Sequence, residues 1–273
     1  MHQKLTLTLF AVLALAGCSA NPTVGRLVSE ALDGDLRQYE APSETTRTEV
    51  ARLVRGALNG DDDLVPPDKI ELTQVKSNSR NVTVISEQNG RQGMGVYAVR
   101  VGSGSPARLV VEVPHPRADK HTELLGPLLF ERLNADVLLV AGTHRSVADT
   151  AHEPDTVFAS VDAAIVGAGT VVVQIHGFDE SRHSVGAQVV LSSTRAQPSP
   201  LVLRLASALE DADYTTCVYD GKDCSALAGT RNVEAAHARS VAAEFVHLEL
   251  AASIRKNGEQ REQLAAILAS VLE

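Results

Sequence analysis

From Arg108 onward, short and almost unbroken apolar runs alternate with longer segments of helical period. Arg108–Val113, Val137–Ala141 and Val171–Ile175 lack the in-out alternation of a strand wetted on one side, so both of their faces must be covered. Helical patterns follow them at Thr122–Leu133 and Thr156–Val166, and again at Pro200–Leu209 and Glu259–Leu272. Gln188–Leu191, Tyr214–Val218 and Phe245–Leu250 read as further strands. This pattern predicts an α/β fold with a mixed, mostly parallel central sheet flanked by helices. Ahead of it, Thr45–Asn59 spaces Val50, Leu53, Val54, Ala57 and Leu58 as one helical face, and Gly60 ends it. Ile70–Val75, Val82–Ser86 and Val96–Val101 are strand-like, separated by Gly and Asn.

The core has to be aliphatic, because 273 residues carry five Phe, four Tyr and no Trp. With 34 acidic against 25 basic residues and a net charge of −9, the chain lacks the basic face of a nucleic-acid binder, and it lacks the rings of a base-stacking platform.

The N-terminus reads as an address. Leu5–Ala16 is apolar apart from Thr6 and Thr8, too short to span a hydrocarbon core easily but suited to a signal peptide. It ends in Leu15-Ala16-Gly17-Cys18, which resembles a bacterial lipobox. That resemblance implies cleavage before Cys18, a lipid on its thiol, and attachment to the cell envelope by lipid alone, with Ser19 favouring the outer membrane. The expected organisation is a signal peptide over 1–17 and a polar tether over 18–43 with room for one short helix. A helix and strands leading into the sheet occupy 44–105, and the α/β core 106–273. In an oxidising compartment Cys217 and Cys224, around the turn-forming Asp220-Gly221, read as a local disulfide.

In an open α/β sheet ligands bind beyond the carboxyl ends of the strands, so the polar residues there are the ones to weigh. His115 and His176 each follow a buried strand directly, His144 and Arg145 follow Val137–Ala141, and His247 and Glu249 lie near the end of the last strand. Two histidines and one carboxylate make the ligand set of a catalytic Zn2+, with one position left for water. Asp119 and Glu123 lie one turn apart after His115; Glu123 is the first choice, in the first turn of a helix that Asp119 caps, and Asp119 the alternative. Glu249 suits a general acid/base if its strand register turns it to the site, and a surface ion pair with Arg255 if it does not. Arg145 suits a clamp on a substrate carboxylate or an oxyanion, or else an ion pair with Asp149. Arg231 and Asn232 suit a carboxylate pocket, or simply a turn before a helix over Val233–Val241.

These motifs, in order, are VPH, a D-x-x-T-E helix start, an AD-x-LL-x-A strand leading to R-x-x-x-D, Q-x-H-G and the late F-V-H-L-E-L. In that order they resemble N-formylglutamate amidohydrolases, which are similar in fold to zinc carboxypeptidases. The resemblance runs from about Arg108 to Ile254. It implies zinc ligation by His115 and His176 with Glu123 or Asp119, substrate contact by Arg145 and acid/base work by Glu249. Pro116-Arg117 stands where that family has Ser-Gly, and Ala151-His152 where it has Asn-Arg, so the mechanism class carries over rather than the formylated substrate. The expectation is an envelope-tethered zinc hydrolase of an amide bond in an N-acyl amino acid or peptide bearing a carboxylate. The alternative is a non-catalytic lipoprotein of the same fold that binds a ligand or envelope partner. A serine esterase would need a Gly-x-Ser-x-Gly elbow, which Ser192-Ser193 lacks.

Overall fold

The structure is a computed structural model that describes residues 22–88, 93–183 and 185–272. The expected signal peptide and the lipid site at Cys18 lie outside the described residues. Among the described residues nine strands form one sheet: β1 (Ile70–Ser77), β2 (Arg80–Glu87), β3 (Val96–Arg100), β4 (Leu109–Val113), β5 (Val137–Val140), β6 (Val171–Phe178), β7 (Val189–Ser192), β8 (Thr216–Val218) and β9 (Glu244–Ala251). Their order across the sheet is β1-β2-β3-β5-β4-β6-β9-β7-β8. The middle, β5-β4-β6-β9, is parallel, and β1, β2 and β3 join its edge as an antiparallel meander. A two-residue turn links β1 to β2, with Asn78 at φ 49° and Ser79 at φ 64°, the left-handed pair whose twist suits a tight hairpin.

Helices cover both faces, as the unbroken apolar strands require. Alternate residues of the central strands face opposite ways. Val111, Val113, Val173, Ile175, Val246 and Leu248 pack into one aliphatic core with α1 (Val24–Ala31), α3 (Thr122–Arg132), α5 (Pro200–Glu210) and α8 (Gly258–Leu272). Val110, Leu139, Val172 and Phe245 pack into the other with α2 (Glu44–Asn59), α4 (Val157–Ile165) and α6 (Val233–Ser240). A short α7 (Ala252–Lys256) follows β9 directly.

Two readings of the sequence need correction. The stretch assigned to a tether over 18–43 carries α1, and from Val24 on its apolar residues Val24, Val28, Leu32 and Leu36 are buried in the core beside α3. Val24 and Val28 share one face of α1, Leu32 caps it and Leu36 follows in a turn, and these apolar side chains are worth more packed than solvated. β6 also continues past Ile175 to Phe178, because β9 pairs with it as far as Phe178↔Ala251; His176 therefore lies within the strand rather than in a loop beyond it. No helix among the described residues is long and apolar enough to cross a membrane.

At the far end of the sheet Arg100 fastens the meander to the parallel core. Its guanidinium is fully buried, lies 4.4 Å above the Phe130 ring and donates to the carbonyls of Ala135 at 2.8 Å, Ser77 at 3.0 Å and Phe130 at 3.2 Å. Burial, with Arg80 nearby, lowers its pKa to about 10, so it stays charged at neutral pH. Arg100→Met removes three buried hydrogen bonds to carbonyl oxygens and should cost about 3 kcal/mol of stability in urea unfolding.

Candidate metal centre and its cavity

β4 is the first central strand, and the chain then moves to β5 on one side of it and to β6 on the other. At such a reversal the crossovers leave in opposite directions and a crevice opens at the carboxyl ends of the strands. His115 follows β4 after Pro114, His176 sits near the end of β6, and Arg145 lies in the loop after β5. Parallel pairing sets His176 opposite Glu249 and Gln174 opposite His247, so all four side chains share one face. This settles the direction of Glu249. It is turned to the crevice, while Val246 and Leu248 face the opposite core.

Asp119 is the carboxylate brought to the histidines. Its backbone N–H donates to the His115 carbonyl at 2.9 Å, closing a single helical turn that lays one side chain over the other. Asp119 Oδ2 lies 3.3 Å from His115 Nδ1 and 3.6 Å from His176 Nδ1, and accepts from the Gly177 N–H at 3.1 Å. All three residues are buried, and their ligand atoms lie within 4.8 Å of one another. Glu123 is not part of this group, which corrects the first choice for the third ligand. α3 begins only after His121, whose left-handed φ of 74° redirects the chain, and Glu123 Oε1 then lies 3.9 Å from Arg117. Asp119 is not the helix cap either; that position belongs to His121.

Both histidines have their outer nitrogens engaged. His115 Nε2 donates to Asp149 Oδ1 at 2.7 Å, and His176 Nε2 donates to Gln174 Oε1 at 2.7 Å. Each Nδ1 is thereby directed at Asp119, and such outer partners are what orient metal-binding imidazoles. Two imidazole nitrogens and one carboxylate oxygen converging on a buried point fit a divalent ion of the zinc type.

The electrostatics follow from these contacts. Burial lowers the pKa of His115, but hydrogen bonds to Asp119 and Asp149 outweigh it and leave the ring above its ordinary value. Burial raises Asp119, but His115 and His176 outweigh that and hold it well below the usual carboxylate range. His176, with burial dominant and His115 adding to it, falls to about 4. Burial and the neighbouring Asp119 push the Glu249 carboxyl well up, partly offset by Arg145 and Arg255.

His115, His176 and Glu249 line a cavity of about 330 Å³, together with Arg145, His152, His183, Leu227, Arg231 and Asn232. Arg145, 43% exposed, spans the two carboxylates, 3.3 Å from Asp149 Oδ2 and 3.8 Å from Asp119 Oδ1. It thus makes the Asp149 ion pair and also faces the cavity. His152 joins the same Asp149 at 3.1 Å, whereas His144 bonds Ser146. The surface pairing of Glu249 with Arg255 does not form. Arg255 is buried and donates to the carbonyls of Leu250, Phe178 and Lys120, tying the ends of β9 and β6 to the start of α3. Arg231 is exposed at the rim. Asn232 caps α6, as the simpler of its two readings had it, and it also lines the cavity. Cys217 and Cys224 stand as a bonded pair with Cα atoms 6.4 Å apart, anchoring the segment that supplies Ser225 and Leu227 to the cavity wall.

His247, Gln174 and a set of buried acids also belong to the site, and residue pattern alone gives them no role. His247 is fully buried with its ring 4.5 Å from that of His176, and its Nδ1 has no partner. Gly229 lies against this ring so closely that a Cβ there would sit 2.6 Å from Nε2. Behind Gln174 stand Glu112, Glu234 and Asp162, all buried. Gln174 Nε2 donates to Glu112 at 2.9 Å and to Glu234 at 3.3 Å, and Asp162 lies 2.6 Å from His237 Nδ1. A strand reading of Leu109–Val113 carried the clue: Glu112 is the one charged residue in a strand covered on both faces.

A scan of protein-family models finds no match, and a search of curated proteins finds none. Among solved structures, the chain is similar to N-formylglutamate amidohydrolase from Ralstonia eutropha JMP134 at 15% identity. That match covers 62% of this chain and 92% of that one, with a TM-score of 0.44. A metallo-carboxypeptidase from Burkholderia cenocepacia is 13% identical over 86% of this chain and 69% of that one, TM-score 0.43. A bacteriophage poly-gamma-glutamate hydrolase is 12% identical over 61% and 83%, TM-score 0.41.

Burial raises Glu112, Asp162 and Glu234 well above the ordinary carboxyl range, and the acids reinforce one another: Asp162 raises Glu112, Glu112 raises Glu234, and Glu234 raises Asp162. An acid raised in the folded state holds a proton that the unfolded chain releases near pH 4, so its stabilisation is complete below that pH and is lost as pH rises. Glu112→Gln removes one such proton and keeps an oxygen for Gln174. We expect it to stabilise the protein at pH 7–8 by about 1 kcal/mol, ~2–4 °C in thermal unfolding, with the gain vanishing near pH 4.

Proposed function

We propose that this protein is a zinc-dependent hydrolase of an amide bond in an N-acyl amino acid or peptide whose substrate carries a carboxylate. The observation that carries the reading is the convergence of His115 Nδ1, Asp119 Oδ2 and His176 Nδ1 on one buried point, with Asp149 and Gln174 engaging the outer nitrogens and the two histidines lining the cavity. The chemistry that a zinc ion supplies when bound is Lewis acidity towards a carbonyl and a water. His115, Asp119 and His176 are the residues that would hold it.

The remaining roles belong to the chain itself. Glu249 faces the same cavity from the strand position opposite His176, and its raised pKa brings proton uptake and release toward neutral pH. It accepts a proton from the attacking water and returns it to the leaving nitrogen. Arg145 lies beside the metal position with its guanidinium partly exposed, where it takes a substrate carboxylate or the developing oxyanion through paired N–H donors. Arg231 at the rim adds a second positive charge, unusual in a chain of net charge −9, and favours anionic substrates. The motif order shared with N-formylglutamate amidohydrolases supports the same reaction class. The lipobox-like Cys18 supports placing the enzyme at a bacterial envelope, held by lipid and acting on small molecules or peptides there.

Elemental analysis of the domain without Cys18 or a His tag tests the metal. We expect about one zinc per chain, and none in a His115→Ala, His176→Ala double variant. Glu249→Gln should keep the zinc and lose ~10²–10⁴-fold in kcat on acylated amino acids or peptides. Arg145→Ala should raise KM ~10–100-fold for substrates with a free carboxylate and leave their methyl esters little changed. A parent that takes up no zinc when the ion is supplied overturns the hydrolase reading in favour of a binding lipoprotein.

A further inference from the structure

The polar groups behind His176 form a one-way chain that starts at a backbone amide. The Ala235 N–H donates to Asn232 Oδ1 at 2.8 Å, closing the N-terminus of α6. A backbone N–H only donates, so the atom it meets is the oxygen of the Asn232 amide. The Asn232 NH2 group therefore faces Gln174, 2.6 Å away, and the atom it meets there must be the Gln174 oxygen. That oxygen also lies 2.7 Å from His176 Nε2. A carbonyl oxygen only accepts, so Nε2 carries the hydrogen. A metal-binding imidazole is neutral and has one N–H, which leaves the lone pair on Nδ1, the nitrogen directed at Asp119.

Asp119 Oδ2 faces Nδ1 from 3.6 Å, beyond hydrogen-bond distance, whereas Gln174 Oε1 lies 2.7 Å from Nε2, so the Gln174 amide is the stronger influence on the ring. Gln174 and Asn232 are buried, and the other described partners of the Gln174 amide are Glu112 and Glu234. On its other side stand Glu112 and Glu234, which keep protons through burial and so can either accept from an amide NH2 or donate to an amide oxygen. A reversed Gln174 would satisfy them equally well. It would then offer its NH2 to His176 Nε2, move the ring hydrogen to Nδ1 and leave no lone pair at the metal position.

We propose that Asn232 is a positioning residue that sets the tautomer of His176 through Gln174, so that the cap of α6 selects which ring nitrogen faces the metal. The inference rests on the zinc reading for its consequence, while the tautomer itself is a property of the metal-free protein.

Asn232→Asp separates this role from capping. Asp is as good a cap as Asn, so α6 keeps its start, but the group now facing Gln174 accepts instead of donating. Nitrogen-15 NMR of histidine-labelled, metal-free protein reads the tautomer directly. We expect the Nε2–H form of His176 in the parent and the Nδ1–H form in Asn232→Asp. The variant should lose ~10–100-fold in zinc affinity, with an unfolding midpoint close to the parent's. Asn232→Ser, which also caps but has no NH2, should show both tautomers and an intermediate affinity, and serves if the Asp variant fails to fold. An unchanged Nε2–H form in these variants overturns the proposal, as does a switched tautomer with zinc affinity equal to the parent's. A parent that binds no zinc counts against the hydrolase reading alone, since the tautomer of the metal-free proteins still decides this inference.

Discussion

The parallel register of β6 against β9 is the constraint on which the site depends. It sets His176 opposite Glu249 and Gln174 opposite His247, and places all four on the face that ends at the cavity. Slipped by one residue, Leu248 would enter the polar pocket and Glu249 the aliphatic core. Apolar packing is what prevents the slip: Val173, Ile175, Val246 and Leu248 fill the other face with α5 and α8. The hydrophobic core on one side of the sheet thus aligns the chemistry on the other.

That alignment carries a cost, because one face of a fully covered sheet holds Glu112, Gln174, His176 and His247 where apolar side chains would otherwise pack. Buried polar groups are tolerated only when partnered or neutral. Here the acids keep their protons, Gln174 bridges two of them, and Asp119 and Asp149 share the histidines and Arg145. Among the buried atoms left without a partner, Glu112 Oε1, Asp162 Oδ1, Glu234 Oε1 and His247 Nδ1 belong to the cavity wall and the network behind it. A fold that spends stability in this way concentrates it where a ligand set has to be held in one orientation.

Much of this architecture was legible in advance. Nearly unbroken apolar runs at Arg108–Val113, Val137–Ala141 and Val171–Ile175 demanded cover on both faces, and the strand-end rule then picked out His115, His176, Arg145 and Glu249, which the structure gathers at one cavity. One short helix was expected in the polar stretch before residue 44, but not its burial, because Val24, Val28, Leu32 and Leu36 are scattered among polar residues that look like a tether. Glu123 was preferred over Asp119 because it falls in the first turn of a helix that Asp119 was expected to cap; α3 does start at Thr122, but His121 takes the cap position in a left-handed conformation that has no signature in residue type.

Local chemistry in the sequence determined the strands, the helices and the histidine and carboxylate types available at strand ends, because periodicity and capping act over only a few residues. Tertiary structure alone decided that Asp119 rather than Glu123 meets the histidines, that Glu249 points inward, and that Asn232 reaches Gln174 across 58 residues of chain. Those outcomes turn on register, on one backbone conformation and on hydrogen-bond polarity, and each of these is settled between segments distant in sequence, where no local pattern can encode it.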